Sequence, residues 1–92
     1  RNKAQMTVET KDTRLKRLNM RSMRRGTKEM DILLMRYSAD RLSMLSDAEL
    51  DAYEALLDEN DQDIYQWISQ QKPAPHEHQP TVADIIRVAA NA

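Results

Sequence analysis

Three stretches of this chain repeat apolar residues at helical spacing, and they constrain its fold more than any other feature. Met30, Leu33, Leu34 and Tyr37 follow the i, i+3, i+4, i+7 pattern of a buried helical stripe. Leu50, Tyr53, Leu56 and Leu57 repeat it, as do Val82, Ile85, Ile86, Ala89 and Ala90. The period-two alternation of β-branched residues that marks strands is missing. The chain has one glycine, three prolines and no phenylalanine, a composition that suits helices joined by short links. At 92 residues it has room for one core. The expected fold is all-α: a small single-domain bundle of about five short helices.

Capping signals divide the chain. Residues 1–12 are polar and aperiodic and read as a flexible N-terminal segment; 13–92 form the single helical domain. A first helix runs from about Thr13, with Thr13 or Asp12 as its cap, to Arg24. Gly26 ends it by taking the left-handed conformation that commonly closes helices. Thr27 caps a second helix reaching about Leu42. Ser46-Asp47-Ala48-Glu49 is a capping box opening a third. Asn60 or Asp61 caps a short fourth helix carrying Ile64, Trp67 and Ile68. Pro73, Pro75 and Pro80 punctuate a linker over about 72–80, after which Thr81 begins the last helix. Met20, Met23, Met30, Met35 and Met44 gather in and around the first two helices, where methionine is expected to fill gaps in the core.

Charge is strongly segregated. Residues 1–28 carry ten Lys or Arg against two acids, a local charge of +8; residues 29–92 carry four against thirteen, a local charge of −9. Either the two regions attract each other within the fold or the basic one is a binding surface. Catalytic chemistry is hard to find. A single glycine rules out a phosphate-cradling loop. There is no cysteine, and the serines have no histidine in a neighbouring helical frame. His76 and His78 flank Glu77 in the proline-rich linker; no third metal ligand is placed by spacing, and a solvated linker is expected. The acids between Asp47 and Asp63 read as the solvated faces of two helices. No metal site and no enzymatic activity are expected.

No apolar run approaches the roughly 20 residues that span a bilayer, so membrane insertion is not expected. The opening "RNKAQMTVETKD" lacks a secretory h-region, and its acids argue against a transit peptide. A bacterial cytoplasmic protein is the expectation, with the mitochondrial matrix as the eukaryotic alternative.

The single glycine lies in Arg25-Gly26-Thr27-Lys28-Glu29, where the basic region gives way to the acidic one. A tight helix–glycine–helix corner would let Arg25 and Glu29 project together from an electropositive ledge, or pair with each other. This run resembles the Arg-Gly-x-x-Glu signature of the succinate dehydrogenase FAD assembly factors, small flavinylation factors of bacteria and mitochondria. Arg24 before it and Met30-Asp31 after it match the signature's extension. "LSDAELDAYEALLDENDQDIYQWI" resembles the family's acidic helix and its Asp-x-Asp-apolar-x-x-Trp element, here Asp61 to Trp67. The resemblance spans about residues 13–72. It implies a five-helix fold and a partner, the flavoprotein subunit of succinate dehydrogenase or fumarate reductase, to one of whose histidines FAD becomes covalently attached. It implies that Arg25, Gly26 and Glu29, and more weakly Arg24 and Asp31, form the partner-binding surface. FAD is expected on the partner, with direct binding by the factor left open. Trp67 is expected in the core. Two other readings compete: a nucleic-acid binder using the basic helix of residues 13–28, weakened by the net charge of −1 and the absence of stacking aromatics there, and a generic interaction adaptor.

Overall fold

The computed structural model describes residues 9–91. Five α-helices follow one another: α1 (Lys11–Ser22), α2 (Lys28–Arg41), α3 (Asp47–Leu57), α4 (Asp61–Ile68) and α5 (Gln79–Ala90). One-turn 3-10 segments at Leu42–Met44 and His76–His78 continue α2 and lead into α5. No strand occurs among the described residues, and the all-α expectation holds. The α2 helix is central, packing against both α1 and α5, while α3 and α4 close over α5.

Local signals set most helix starts. Thr27 accepts a hydrogen bond from the Met30 N–H at the head of α2. Ser46 and Glu49 form both halves of the capping box on α3. At α4, Asn60 rather than Asp61 is the cap, accepting from the Gln62 N–H at 2.8 Å. Two starts lie earlier than the sequence suggests. Thr10 caps α1 by accepting from Thr13, so the helix begins at Lys11 and residues 9–12 belong to the folded unit; the first eight residues of the segment expected to be flexible lie outside the described residues. Similarly, α5 begins at Gln79 with Pro80 in its first turn, where a missing N–H costs nothing.

The core is one cluster that includes Leu18, Met30, Leu34, Tyr37, Leu50, Tyr53, Leu56, Ile64 and Ile85, all at most 2 % exposed. Tyr37 and Tyr53 meet with ring centroids 5.2 Å apart. Burial pushes the Tyr53 hydroxyl up to about 12. That hydroxyl shares a 2.6 Å hydrogen bond with buried Ser22, whose Oγ also donates to the Leu18 carbonyl. The five methionines named above depart from expectation: of these only Met30 joins the core, while Met20, Met23, Met35 and Met44 are 36–64 % exposed. Their positions fall on the outer arcs of α1 and α2 and in the 3-10 turn, which no other helix among the described residues covers.

Candidate functional site

The glycine corner differs from expectation in a way that changes the role of its residues. The last residue of α1 is Ser22 and its cap is Met23, whose N–H reaches back to the Met20 and Arg21 carbonyls. Gly26 therefore lies in the connection and does not terminate the helix. Its φ is not positive; among the described residues only Gln70 adopts the left-handed region, at φ 65°, where the chain leaves α4. The glycine is needed for a close approach. Its N–H donates to Asp61 Oδ2 at 2.5 Å, and a Cβ at this position would stand 3.0 Å from the same oxygen.

Arg25 turns into the protein. Its side chain is 10 % exposed. The guanidinium donates to Asp61 Oδ1 through Nε at 2.7 Å, to the Leu57 carbonyl at 3.0 Å and to the Glu59 carbonyl at 3.2 Å. Leu57 is the last residue of α3, where a helix leaves acceptors unpaired and a cation is favoured, and Glu59 follows just beyond the Asp58 cap. The Arg25 backbone N–H donates to Asp31 Oδ1 at 2.7 Å. Neither expectation for Arg25 survives: it does not pair with Glu29, and it does not project outward. Asp61 accepts from both the Arg25 side chain and the Gly26 backbone, fastening the α1–α2 connection to the start of α4. Sequence gives no sign of this partnership, because Asp61 lies 36 residues from Arg25 and also reads as an ordinary helix-start acid.

Glu29 behaves differently. It is exposed in the first turn of α2, and no ion pair or hydrogen bond among the described residues uses its carboxylate. It borders a cavity of about 520 Å³ lined by Thr27, Glu29, Asp61, Gln62, Tyr65, Gln66 and Gln71. On the other side of the connection, Arg17, Met20, Arg21, Arg24 and Arg25 line a shallower depression of about 450 Å³. Arg24 is exposed there.

The expected electropositive ledge is largely neutralised from within. Arg14 pairs with Asp51 and Glu54 at 2.6 and 3.1 Å, Arg17 with Glu54 and Glu9 at 2.8 Å each, and Arg21 with Asp58 at 2.8 Å. The Arg17 hydrogen bond, aided by the charges of Arg17 and Arg14, holds the Glu54 carboxyl below its ordinary range. Charge segregation thus serves largely to lay α1 along α3, the intramolecular alternative of the sequence reading. The pairs to exposed Asp51 and Asp58 stabilise little, while those to the partly buried Glu54 are better shielded; together they set orientation. They also occupy three of the arginines that a nucleic-acid interface on residues 13–28 would use.

His78 also departs from expectation. It is not solvated: it is 3 % exposed, stacks on Trp67 with centroids 5.6 Å apart, and bonds Glu59 Oε2 through Nε2 at 2.8 Å. Trp67 is partly buried against the core, and His76 is exposed. The Trp67–His78 stack ties the 3-10 turn before α5 to α4. Among the described residues no group of three His, Asp or Glu is placed to hold a metal, and no helix is long and apolar enough to cross a membrane.

A family model described as the flavinator of succinate dehydrogenase, Sdh5, matches residues 16–89. The chain belongs to the Sdh5 family. Curated proteins agree with the match. Succinate dehydrogenase assembly factor 2, mitochondrial, of Mycosarcoma maydis is 45 % identical over 67 residues, 73 % of this chain and 28 % of that protein. The protein of the same name from Meyerozyma guilliermondii is 49 % identical over 61 residues, 66 % of this chain and 45 % of its own length. That from Danio rerio is 36 % identical over 81 residues, 86 % of this chain and 51 % of its own. This Sdh5-family chain therefore spans from about a quarter to half the length of these relatives. Their names and organisms correct the expected address: these relatives are eukaryotic proteins called mitochondrial, and the bacterial cytoplasm does not fit them.

Proposed function

We propose that this chain is an assembly factor for succinate dehydrogenase that binds the flavoprotein subunit at the Arg24–Asp31 corner and promotes covalent attachment of FAD to that subunit. Membership of the flavinator family is the observation that carries this reading. The corner adds a physical basis. Arg25, Gly26 and Asp31 build it from within and hold it rigid through Asp61, while Glu29 and Arg24 are the members exposed to a partner. A rigid corner with a directed carboxylate binds without the entropic cost of ordering a loop.

The factor acts by positioning. It supplies no nucleophile and no acid–base residue of its own; it holds the client in the geometry that brings its histidine and flavin together, and alignment of this kind can account for several kcal/mol of a barrier. It is not itself an enzyme in this reading, and FAD remains on the client. Whether fumarate reductase is also a client depends on the same surface.

The test is co-purification with the flavoprotein subunit, together with in-gel fluorescence of covalently bound flavin in cells lacking the protein. Loss of the fluorescent band, restored by wild type and not by Glu29→Ala, is expected. Undiminished covalent flavin in the deletion strain overturns the proposal. Binding to DNA or RNA with steep salt dependence would favour the nucleic-acid reading instead.

A further inference from the structure

Resting on the client-binding reading above, we propose that the cavity between the start of α2 and α4 is a socket for one arginine side chain of the client, with Glu29 as its anion. The chemistry of the walls selects the occupant. Among the described residues that line the cavity none is Lys or Arg, and its two charged residues are both acids, Glu29 and Asp61. Asp61 is already committed: Arg25 holds one oxygen and the Gly26 N–H the other. Glu29 is left as the uncommitted charge, and an anionic ligand would meet it without a compensating cation.

The remaining groups suit a guanidinium better than an ammonium. Gln62 and Gln66 have no side-chain hydrogen bonds among the described residues, and Gln71 uses only its N–H₂, donating to Ser69 Oγ at 2.9 Å. Three amide oxygens in the lining of the same cavity are therefore uncommitted among the described residues. Tyr65 is 38 % exposed in the same wall, and among the described residues neither its ring nor its hydroxyl has a stacking or hydrogen-bonding partner. A guanidinium carries five N–H donors in a plane, matches a carboxylate in a two-point contact and stacks on aromatic faces. An ammonium is a more strongly hydrated point charge with three donors. A carboxylate, amide acceptors and an aromatic ring around one concavity are complementary to the former.

Helix-dipole stabilisation does not account for the arrangement. The first turn of α2 already contains Asp31, and Thr27 already caps the helix; neither function requires Tyr65 or the glutamines of α4. The wall is also held in place: backbone N–H groups of Gln71 and Lys72 both donate to the Gln66 carbonyl, folding the chain after α4 back against the cavity.

Two arms test the socket, and they separate its failure from that of the client reading. In the first, the ¹⁵N-labelled protein is titrated with N-acetyl-arginine amide and, separately, with N-acetyl-lysine amide. Saturable shifts of the Glu29 backbone amide and of the Gln62, Gln66 and Gln71 side-chain amides are expected with arginine, weaker with lysine and abolished in Glu29→Gln. Absence of shifts at these groups overturns the socket whether or not the client binds. In the second, the affinity of the flavoprotein subunit is measured for Glu29→Gln and Tyr65→Ala, with thermal melting as the check on folding. Each is expected to weaken the complex at least tenfold with little change in melting. Glu29→Arg is then paired with flavoprotein variants carrying single Arg→Glu exchanges, one of which should restore at least tenfold of the loss. Wild-type-like affinity for both Glu29→Gln and Tyr65→Ala, or no restoring exchange, overturns the socket while leaving the complex intact. Failure of the wild-type protein to bind the flavoprotein, with the arginine shifts present, overturns the client assignment instead.

Discussion

Arg25→Ala separates a residue that builds the corner from one that reads a partner. The substitution removes a guanidinium that is 10 % exposed. It leaves the Asp61 carboxylate, itself 22 % exposed, without its cation, and leaves the Leu57 and Glu59 carbonyls without donors. A hydrogen bond to a charged group contributes roughly 1.5–3 kcal/mol, and breaking a fully buried ion pair costs roughly 3–5 kcal/mol. Because Asp61 retains some water and the Gly26 N–H, about 2–4 kcal/mol is the expected loss. At roughly 0.05–0.15 kcal/mol per residue the whole domain is stable by only about 5–14 kcal/mol. Melting should therefore fall by about 10–25 °C for a domain of this size. Arg25→Lys should recover only a minor part, since an ammonium cannot reach three acceptors in divergent directions. The assay is thermal unfolding by circular dichroism, followed by flavoprotein binding at low and physiological temperature. Binding lost through unfolding returns on cooling; binding lost through a missing contact, as in Glu29→Ala, does not. A double-mutant cycle with Asp61→Ala should reveal coupling between the two side chains. A melting temperature for Arg25→Ala within about 2 °C of wild type would refute the inward clasp.

Gly26→Ala needs no unusual backbone but sets a Cβ 3.0 Å from Asp61 Oδ2, in a carboxylate whose other oxygen is held by Arg25. A loss of about 1 kcal/mol is expected in urea unfolding, larger for Gly26→Val; a stabilised alanine variant would contradict the close approach. Gln70→Gly should raise stability by about 0.5–1 kcal/mol, because Gln70 occupies the left-handed region at φ 65° where glycine is unstrained. The same unfolding measurement checks it, and a loss of stability would count against this account of the α4 terminus. The Glu54 carboxyl is lowered in the folded protein by its hydrogen bond to Arg17 and by the charges of Arg17 and Arg14. Its contribution is therefore complete above the unfolded carboxyl pKa of roughly 4.3 and is lost as pH falls through the lower folded value. Melting followed from pH 7 downward should show an acid decline that Glu54→Gln makes shallower; an unchanged decline would assign it to other carboxylates.

Much of the architecture is local and so can be read along the chain. A buried helical face needs apolar residues every three or four positions, and Met30 to Tyr37, Leu50 to Leu57 and Val82 to Ile85 supply core residues of this kind, although α5 then buries Val88, which the expected stripe omitted, and leaves Ala90 exposed. The Thr27 and Ser46 caps satisfy backbone groups only three residues away, so sequence spacing contains the whole interaction. The family signature is legible for the same reason: it is a short contiguous run. Even there, local reasoning misassigned the glycine, because a residue that can close a helix need not do so when its N–H has a better acceptor across the fold.

What the tertiary structure alone decided is where each side chain finds its partner. Arg25 meets Asp61, Ser22 meets Tyr53, and His78 meets Glu59 across 19 to 36 positions. Nothing in the separation of two residues along the chain announces such a meeting; it depends on which helices pack together and at what angle. The exposed methionines follow from the same packing, since a helix buries only the arc that another helix covers. The division of the corner into inward Arg25 and outward Glu29 arises there too. The chain order brings both residues to one connection, but only the docking of α4 beneath it gives the guanidinium a carboxylate and two carbonyls to bind, and leaves the glutamate facing an open cavity.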